Sequence, residues 1–123
     1  MALELVNGFK NIYQIESFEE EFEETTSERN TSGRYHKWLR RSLALLEHMG
    51  YGVLKLPSFE KLVDTNPNLY SIKNTESKKN PRVLFAFFDG TKVILLLAFK
   101  EKNPYDYQSA INIAEKRAKL LDQ

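Results

Sequence analysis

Cysteine is absent from the 123-residue chain, which also holds only 5 glycines, 4 prolines and 1 tryptophan. Without cysteine there is no disulfide, no thiolate nucleophile and no cysteine-ligated metal, and nothing points to an oxidising compartment. The longest apolar run, Val93 to Phe99, is too short to span a bilayer, and the start of the chain lacks the basic-then-apolar order of a signal peptide. We therefore expect a cytoplasmic protein with no membrane role.

Common catalytic motifs are missing as well. The sequence holds no glycine-rich phosphate loop, no Gly-x-Ser-x-Gly elbow and no His-Glu-x-x-His motif. The only two histidines, His36 and His48, fall on one predicted helix and have no third ligand. We expect neither a metal site nor a cofactor.

The charges are divided unevenly along the chain. Residues 1–28 contain Lys10 against eight acids, a net charge of 1 − 8 = −7, whereas residues 29–123 contain 17 basic and nine acidic residues, 17 − 9 = +8. A basic body suits a polyanionic partner such as RNA, although a solvated surface without such a partner explains it too. The length and the 41% hydrophobic content fit one domain over residues 1–123 with an acidic leader at 1–28.

Hydrophobic periodicity and turn residues predict the order of the elements. The leader holds a strand and a helical turn or two around Phe18 and Phe22, and a longer helix follows, capped by Ser32. The predicted segments are a strand over Lys10 to Ile15, a loop over Thr25 to Gly33, a helix from about Arg34 to Met49, an extended piece over Val53 to Leu56, a short helix opened by Pro57-Ser58 and ending at Val63, a strand over Leu69 to Lys73, and a polar loop over Asn74 to Pro81.

The clearest pattern is a β-hairpin. Two β-rich runs, Arg82 to Phe88 and Lys92 to Phe99, flank Asp89-Gly90, which is typical of a tight two-residue turn. Asn103 and Pro104 then provide a cap and a first-turn proline for a final helix. Both faces of the hairpin are apolar, so its strands are central, covered by helices alone or by helices and a partner protein. These patterns predict an α+β fold: a small antiparallel sheet packed against an N-terminal helical segment and a C-terminal helix.

Four basic residues fall at one end of this sheet. Arg82 opens the first hairpin strand, Lys100 and Lys102 follow the second, and Lys73 ends the preceding strand. Cleavage of RNA by its own 2′-OH needs groups that move protons and stabilise a negatively charged phosphorane, and converging cations suit the second task. Each residue taken alone also fits a solvated strand end or a gatekeeper against aggregation.

Other residues near this end are candidates for RNA binding. Tyr105 and Tyr107 follow the lysines and can stack on a base, although a tyrosine at a helix start often serves packing. Lys78 and Lys79 in the preceding loop add positive charge for the RNA backbone.

The order of features from about Tyr35 to Leu121 resembles the RelE/ParE toxin superfamily, most closely its HigB-like, phage-derived branch. The resemblance rests on three stretches and on the hairpin with its trailing lysines. The stretches are Leu45-Leu46-Glu47-His48-Met49-Gly50, Leu56-Pro57-Ser58-Phe59-Glu60-Lys61-Leu62 and Leu69-Tyr70-Ser71-Ile72-Lys73.

This resemblance implies a RelE-like fold, metal-independent cleavage of mRNA on the ribosome, and inhibition by a cognate antitoxin, expected to be of the helix-turn-helix type. It also implies catalytic roles for Lys73, Arg82, Lys100 and Lys102. Two other functions remain open: a gyrase inhibitor of the kind some relatives with this fold represent, and a non-catalytic protein-binding or phage-accessory module.

Overall fold

The computed structural model describes residues 2–74 and 80–121, and it confirms the predicted α+β class. Six strands and three α-helices are present in the described part of the chain. The strands are β1 (Leu3–Leu5), β2 (Ile12–Ile15), β3 (Phe59–Lys61), β4 (Tyr70–Lys73), β5 (Pro81–Phe88) and β6 (Lys92–Lys100). The helices are α1 (Phe18–Thr26), α2 (Arg34–Met49) and α3 (Pro104–Leu121), with a 3₁₀ helix at Gly50–Lys55 after α2. No described helix is long and apolar enough to cross a membrane.

The strands form one sheet in the order β1-β2-β6-β5-β4-β3. Four of the five neighbouring pairs are antiparallel, as predicted, but β2 lies parallel to β6. The leader therefore adds two strands and α1 to the fold.

The predicted hairpin of β5 and β6 is confirmed and lies at the centre of the sheet. Its turn is one residue longer than predicted, because Phe88 pairs with Lys92 and leaves Asp89 to Thr91 between the strands. Asp89 and Gly90 both have positive φ, the conformation that Asp-Gly pairs favour in hairpin turns.

Two predicted segments are wrong. The stretch predicted as extended, Val53 to Leu56, belongs mostly to the 3₁₀ helix. The short helix predicted to open at Pro57-Ser58 and run to Val63 is absent, and strand β3 (Phe59–Lys61) lies there instead. In β3, Phe59 is buried and pairs with Ile72 of β4. Pairing with a distant strand outweighs the weak local preference for a helical turn.

The start of α2 also differs from the prediction that Ser32 caps it. The N-cap residue is Gly33, and the hydroxyl of Ser32 donates to Asn30 instead. The carboxylate of Glu28 accepts the first free N–H groups of the helix, those of Tyr35 and His36, at 3.1 and 2.8 Å. A carboxylate at this position satisfies orphan donors and interacts favourably with the positive end of the helix.

The two faces of the sheet are covered by different helices of the chain itself. Tyr70 packs edge-on against Tyr51 in the 3₁₀ helix after α2, whereas the next residue, Ser71, lies at Tyr107 of α3. Since consecutive strand residues point to opposite faces, α2 and α3 lie on opposite sides of the sheet. The helix α2 buries Leu39, Leu43 and Leu46, whereas α3 buries Ala110, Ala114 and Ala118.

An irregularity in β6 connects the leader to α3. Leu84 pairs with Leu97 and Phe85 pairs with Leu95, so Leu96 is an extra residue with no partner on β5. Its carbonyl accepts a hydrogen bond from Nη1 of Arg117 at 2.8 Å, and the same guanidinium binds the carboxylate of Glu21 in α1. Arg117 thus satisfies the bulge and holds α1 to α3.

Candidate nucleic-acid interface

Two of the predicted cations face each other at one end of the sheet. Lys73 of β4 is the register partner of Arg82 in β5, and Arg82 is in turn the partner of Phe99 in β6. Directly paired residues of neighbouring strands share a face. Lys73, Arg82 and Phe99 therefore form a row on the face that carries α3.

Each of these cations lies against a carboxylate. Nζ of Lys73 is 3.1 Å from Oε2 of Glu60, and Nε of Arg82 contacts Oε2 of Glu101. The side chain of Arg82 is 11% exposed and that of Glu60 is 47% exposed. The row therefore contains two positive and two negative groups, of which Arg82 is the most enclosed and Glu60 the most accessible to solvent.

Tyr107 of α3 completes the site. Its ring packs edge-on against Phe99, with 5.4 Å between centroids, and lies 5.5 Å from the guanidinium carbon of Arg82. An arginine held over an aromatic face is fixed in orientation and keeps its charge.

The hydroxyl of Tyr107 is buried beside that of Ser71, and neither makes a well-aligned hydrogen bond among the described residues. Burial raises the pKa of Tyr107, and the carboxylates of Glu60 and Glu101 act in the same direction, against the opposing effects of Ser71 and Arg82. Tyr107 is therefore a neutral phenol at physiological pH, and its ring, rather than its buried hydroxyl, faces the guanidinium of Arg82.

The structure separates Lys100 from this row. Lys100 pairs with Pro81, the neighbour of Arg82, so strand alternation places its side chain on the opposite face. Lys73, Arg82 and Lys100 therefore lie at the same end of the sheet, as predicted, but Lys100 is on the opposite face from the other two. Lys102 is exposed in the turn before α3, where its N–H donates to Asp106 at 2.8 Å.

The remaining predicted residues are less central. Tyr105 is 83% exposed at the start of α3, and its N–H donates to the capping oxygen of Asn103, as the predicted cap requires. Lys78 and Lys79 lie outside the described residues. Within residues 2–74 and 80–121, no group of three His, Cys, Asp or Glu side chains is placed to hold a metal ion.

Sequence reasoning missed the two carboxylates. Glu101 lies two residues after Phe99, so alternation along β6 was a signal that it joins the face of Arg82. Glu60 carried no such signal, because its segment was assigned to a helix and its pairing with Ser71 depends on the β3–β4 ladder.

A family model matches most of the chain. A model of the family described as "Phage derived protein Gp49-like (DUF891)" matches residues 31–119. No curated protein and no solved structure matches the chain. The match includes α2, β3 to β6 and nearly all of α3, and it leaves the leader strands and α1 outside.

Proposed function

We propose that this chain, which belongs to the family of phage-derived Gp49-like proteins, is the toxin of a type II toxin–antitoxin system and an mRNA endoribonuclease. Members of this family are often toxin-like. The proposal further places the protein in the HigB-like branch of the RelE/ParE superfamily, acting on mRNA in the ribosome without a metal. The observation that supports it is that Lys73 and Arg82 are cross-strand neighbours at one end of the sheet, where Tyr107 packs against Arg82.

The row suits in-line attack of a 2′-hydroxyl on the adjacent phosphate. In this reaction the 2′-oxygen loses its proton and bonds to phosphorus, the bond to the 5′-oxygen breaks, and that oxygen takes up a proton. The products are a 2′,3′-cyclic phosphate and a 5′-hydroxyl. Arg82 and Lys73 bind the phosphate oxygens and stabilise the charge that develops on them. The ring of Tyr107 holds the guanidinium of Arg82 in orientation.

Glu60 is our candidate for the group that accepts the 2′-proton. Both carboxylates are paired, Glu60 with Lys73 and Glu101 with Arg82, but Glu60 lies on the face of Arg82 and is the more exposed of the two. The sequence led us to expect that Lys100 or Lys102 transfers protons or stabilises charge at the scissile phosphate. Because Lys100 lies on the opposite face, it is better placed to contact a neighbouring phosphate. Their loss should weaken RNA binding rather than the chemical step.

Expression with mapping of mRNA ends tests the proposal. We expect growth arrest on induction and new mRNA 5′ ends in phase with codons. Arg82→Ala should lower cleavage about 100- to 1,000-fold, as loss of one charge-stabilising donor does in other enzymes, and restore growth. Lys119→Ala, which removes an exposed cation from the far end of α3, is the matched control and should remain toxic. Harmless expression of the parent protein with intact mRNA would contradict the proposal.

A non-catalytic protein-binding module is the second candidate. The observation in its favour is that Glu60 and Glu101 already neutralise Lys73 and Arg82 in the free protein. If the protein is such a module, RNA binding should show little salt dependence, whereas the nuclease proposal requires a steep one.

A supercoiling assay with gyrase tests the inhibitor function: we expect normal supercoiling in the presence of the protein. We expect the cognate antitoxin, of the helix-turn-helix type, to be encoded beside this chain.

A further inference from the structure

A cavity of about 490 Å³ lies between α2 and the end of β4. Its described lining includes Trp38 and Arg41 of α2, Ser58 before β3, and Lys73 and Asn74 at the end of β4. The volume falls within the range of about 300–1,000 Å³ that is typical of small-molecule pockets. The lining combines one aromatic ring, the cation of Arg41 and several hydrogen-bonding groups, and no described lining residue is acidic.

The aromatic group is held in place by packing. The indole of Trp38 stacks on the ring of Phe22 in α1, with 6.5 Å between centroids and an interplanar angle of 13°. It stays partly exposed and lines the cavity. A fixed, accessible indole is a surface on which a nucleobase can stack.

The positive charge beside Trp38 is available to a ligand. Lys37 and Arg41 are exposed one helical turn apart on α2, and in the described part of the chain no carboxylate lies within ion-pair distance of either one. Surface cations that no carboxylate neutralises attract a polyanion more strongly than the paired Lys73 does.

Lys73 connects the cavity to the site described above. It lines the cavity, and its side chain, paired with Glu60, lies on the α3 face beside Arg82, so the cavity on the α2 side meets the candidate site at the end of β4. We propose that the cavity binds the nucleotide next to the scissile phosphate, with its base against Trp38 and its phosphate at Arg41. This inference adds a nucleotide-binding site to the proposed RNA cleavage, and it rests on that proposed function.

Trp38 is the only tryptophan of the chain, so its fluorescence reports on the cavity directly. The probe is an RNA heptanucleotide carrying 2′-O-methyl groups, which cannot be cleaved by attack of its own 2′-oxygens. We expect saturable quenching of the Trp38 emission that weakens as salt is added. Arg41→Ala should raise Kd about tenfold, as expected for a charge-assisted contact, and reduce the slope of log K against log salt by about 1.

Two substitutions of Trp38 separate stacking from folding. In an anisotropy assay with the labelled heptanucleotide, Trp38→Leu should raise Kd about 5- to 150-fold, the equivalent of about 1–3 kcal/mol per stacked base. Trp38→Phe retains a ring and should show a smaller loss. Lys119→Ala, on α3 across the sheet, is the control and should bind like the parent.

The outcomes distinguish this inference from the proposed function. Parent-like affinity of folded Arg41→Ala and Trp38→Leu proteins, or binding without quenching, would overturn the cavity assignment even if the protein cleaves mRNA. Quenching that Arg41→Ala weakens, combined with intact mRNA on ribosomes, would support the cavity and overturn the nuclease function instead.

Discussion

Arg117 is the residue whose substitution tests the architecture most directly. Its guanidinium makes three hydrogen bonds: two to the carboxylate oxygens of Glu21, at 2.9 and 2.6 Å, and one to the carbonyl of Leu96 at 2.8 Å. They join helix α1 of the leader, the bulge in β6 and helix α3. We predict that Arg117→Met destabilises the whole domain.

The structure bounds the size of this effect. Exposed ion pairs contribute about 0–1 kcal/mol, whereas removing one member of a buried pair costs about 3–5 kcal/mol. The side chains of Arg117 and Glu21 are about one-fifth exposed, and the substitution also leaves the buried Leu96 carbonyl without its donor. We therefore expect a loss of about 2–4 kcal/mol from a total stability of about 5–15 kcal/mol.

Urea unfolding followed by circular dichroism measures the change. With a slope of about 2 kcal/mol per molar urea, the middle of the usual range, the midpoint should fall by roughly 1–2 M. Combining Arg117→Met with Glu21→Gln should give less than the sum of the two single losses, because the two residues share an interaction. Lys116→Met removes an exposed neighbouring cation and should change stability by less than about 0.5 kcal/mol. A similarly small change for Arg117→Met would refute the reasoning.

Three further predictions concern other parts of the fold. Phe22→Ala removes a fully buried ring that stacks on Phe18 and Trp38, and it should lower the free energy of unfolding by about 3–5 kcal/mol. Thermal or urea unfolding measures this loss and so tests whether the leader is part of the core. Burial alone would raise the pKa of Glu28, but hydrogen bonds from the ring of His36 and from the start of α2 lower it below its ordinary value. The ionised carboxylate therefore stabilises the fold fully at pH values above the unfolded pKa, and this stabilisation is lost as the pH falls through the lower folded pKa. Glu28→Gln should therefore flatten the acid limb of a stability-against-pH curve and leave the alkaline limb unchanged. Gly50→Ala should lower the free energy of unfolding by about 1–3 kcal/mol in the same assay. Gly50 has φ of +56° and ψ of −131°, a backbone conformation that is strained for alanine, although a Cβ would meet no atom there.

Elements whose signals are local could be predicted from the sequence. The helix over Arg34 to Met49 has the predicted bounds, and Asn103 caps α3 as expected, because its side-chain oxygen accepts N–H groups two and three residues away. The Asp89-Gly90 signal likewise located the hairpin. In each case the deciding interactions are made within a few residues of chain, where residue type alone sets the energy.

The face of the sheet on which each charged residue of the candidate site lies could not be predicted from local signals. The sequence indicated that Lys73, Arg82 and Lys100 end neighbouring strands, but the register of β5 against β6 decides that Lys100 faces the other side. A shift of one residue would reverse that assignment, and register is set by contacts along both faces of the whole sheet. Alternation along β6 is a sequence signal for Glu101, whereas Glu60 joins this face only through the β3–β4 ladder, which the sequence did not indicate.

The sequence by itself determined the class of the fold, the central hairpin and the concentration of positive charge beyond the leader. Only the tertiary structure decided how the leader is used: β2 lies parallel to β6, and Glu21 of α1 binds Arg117 of α3, 96 residues away. The physical reason is the range of the interactions. Periodicity, caps and turns depend on neighbours in the chain, whereas strand partners, ion pairs and the cavity at Trp38 depend on which distant segments pack together.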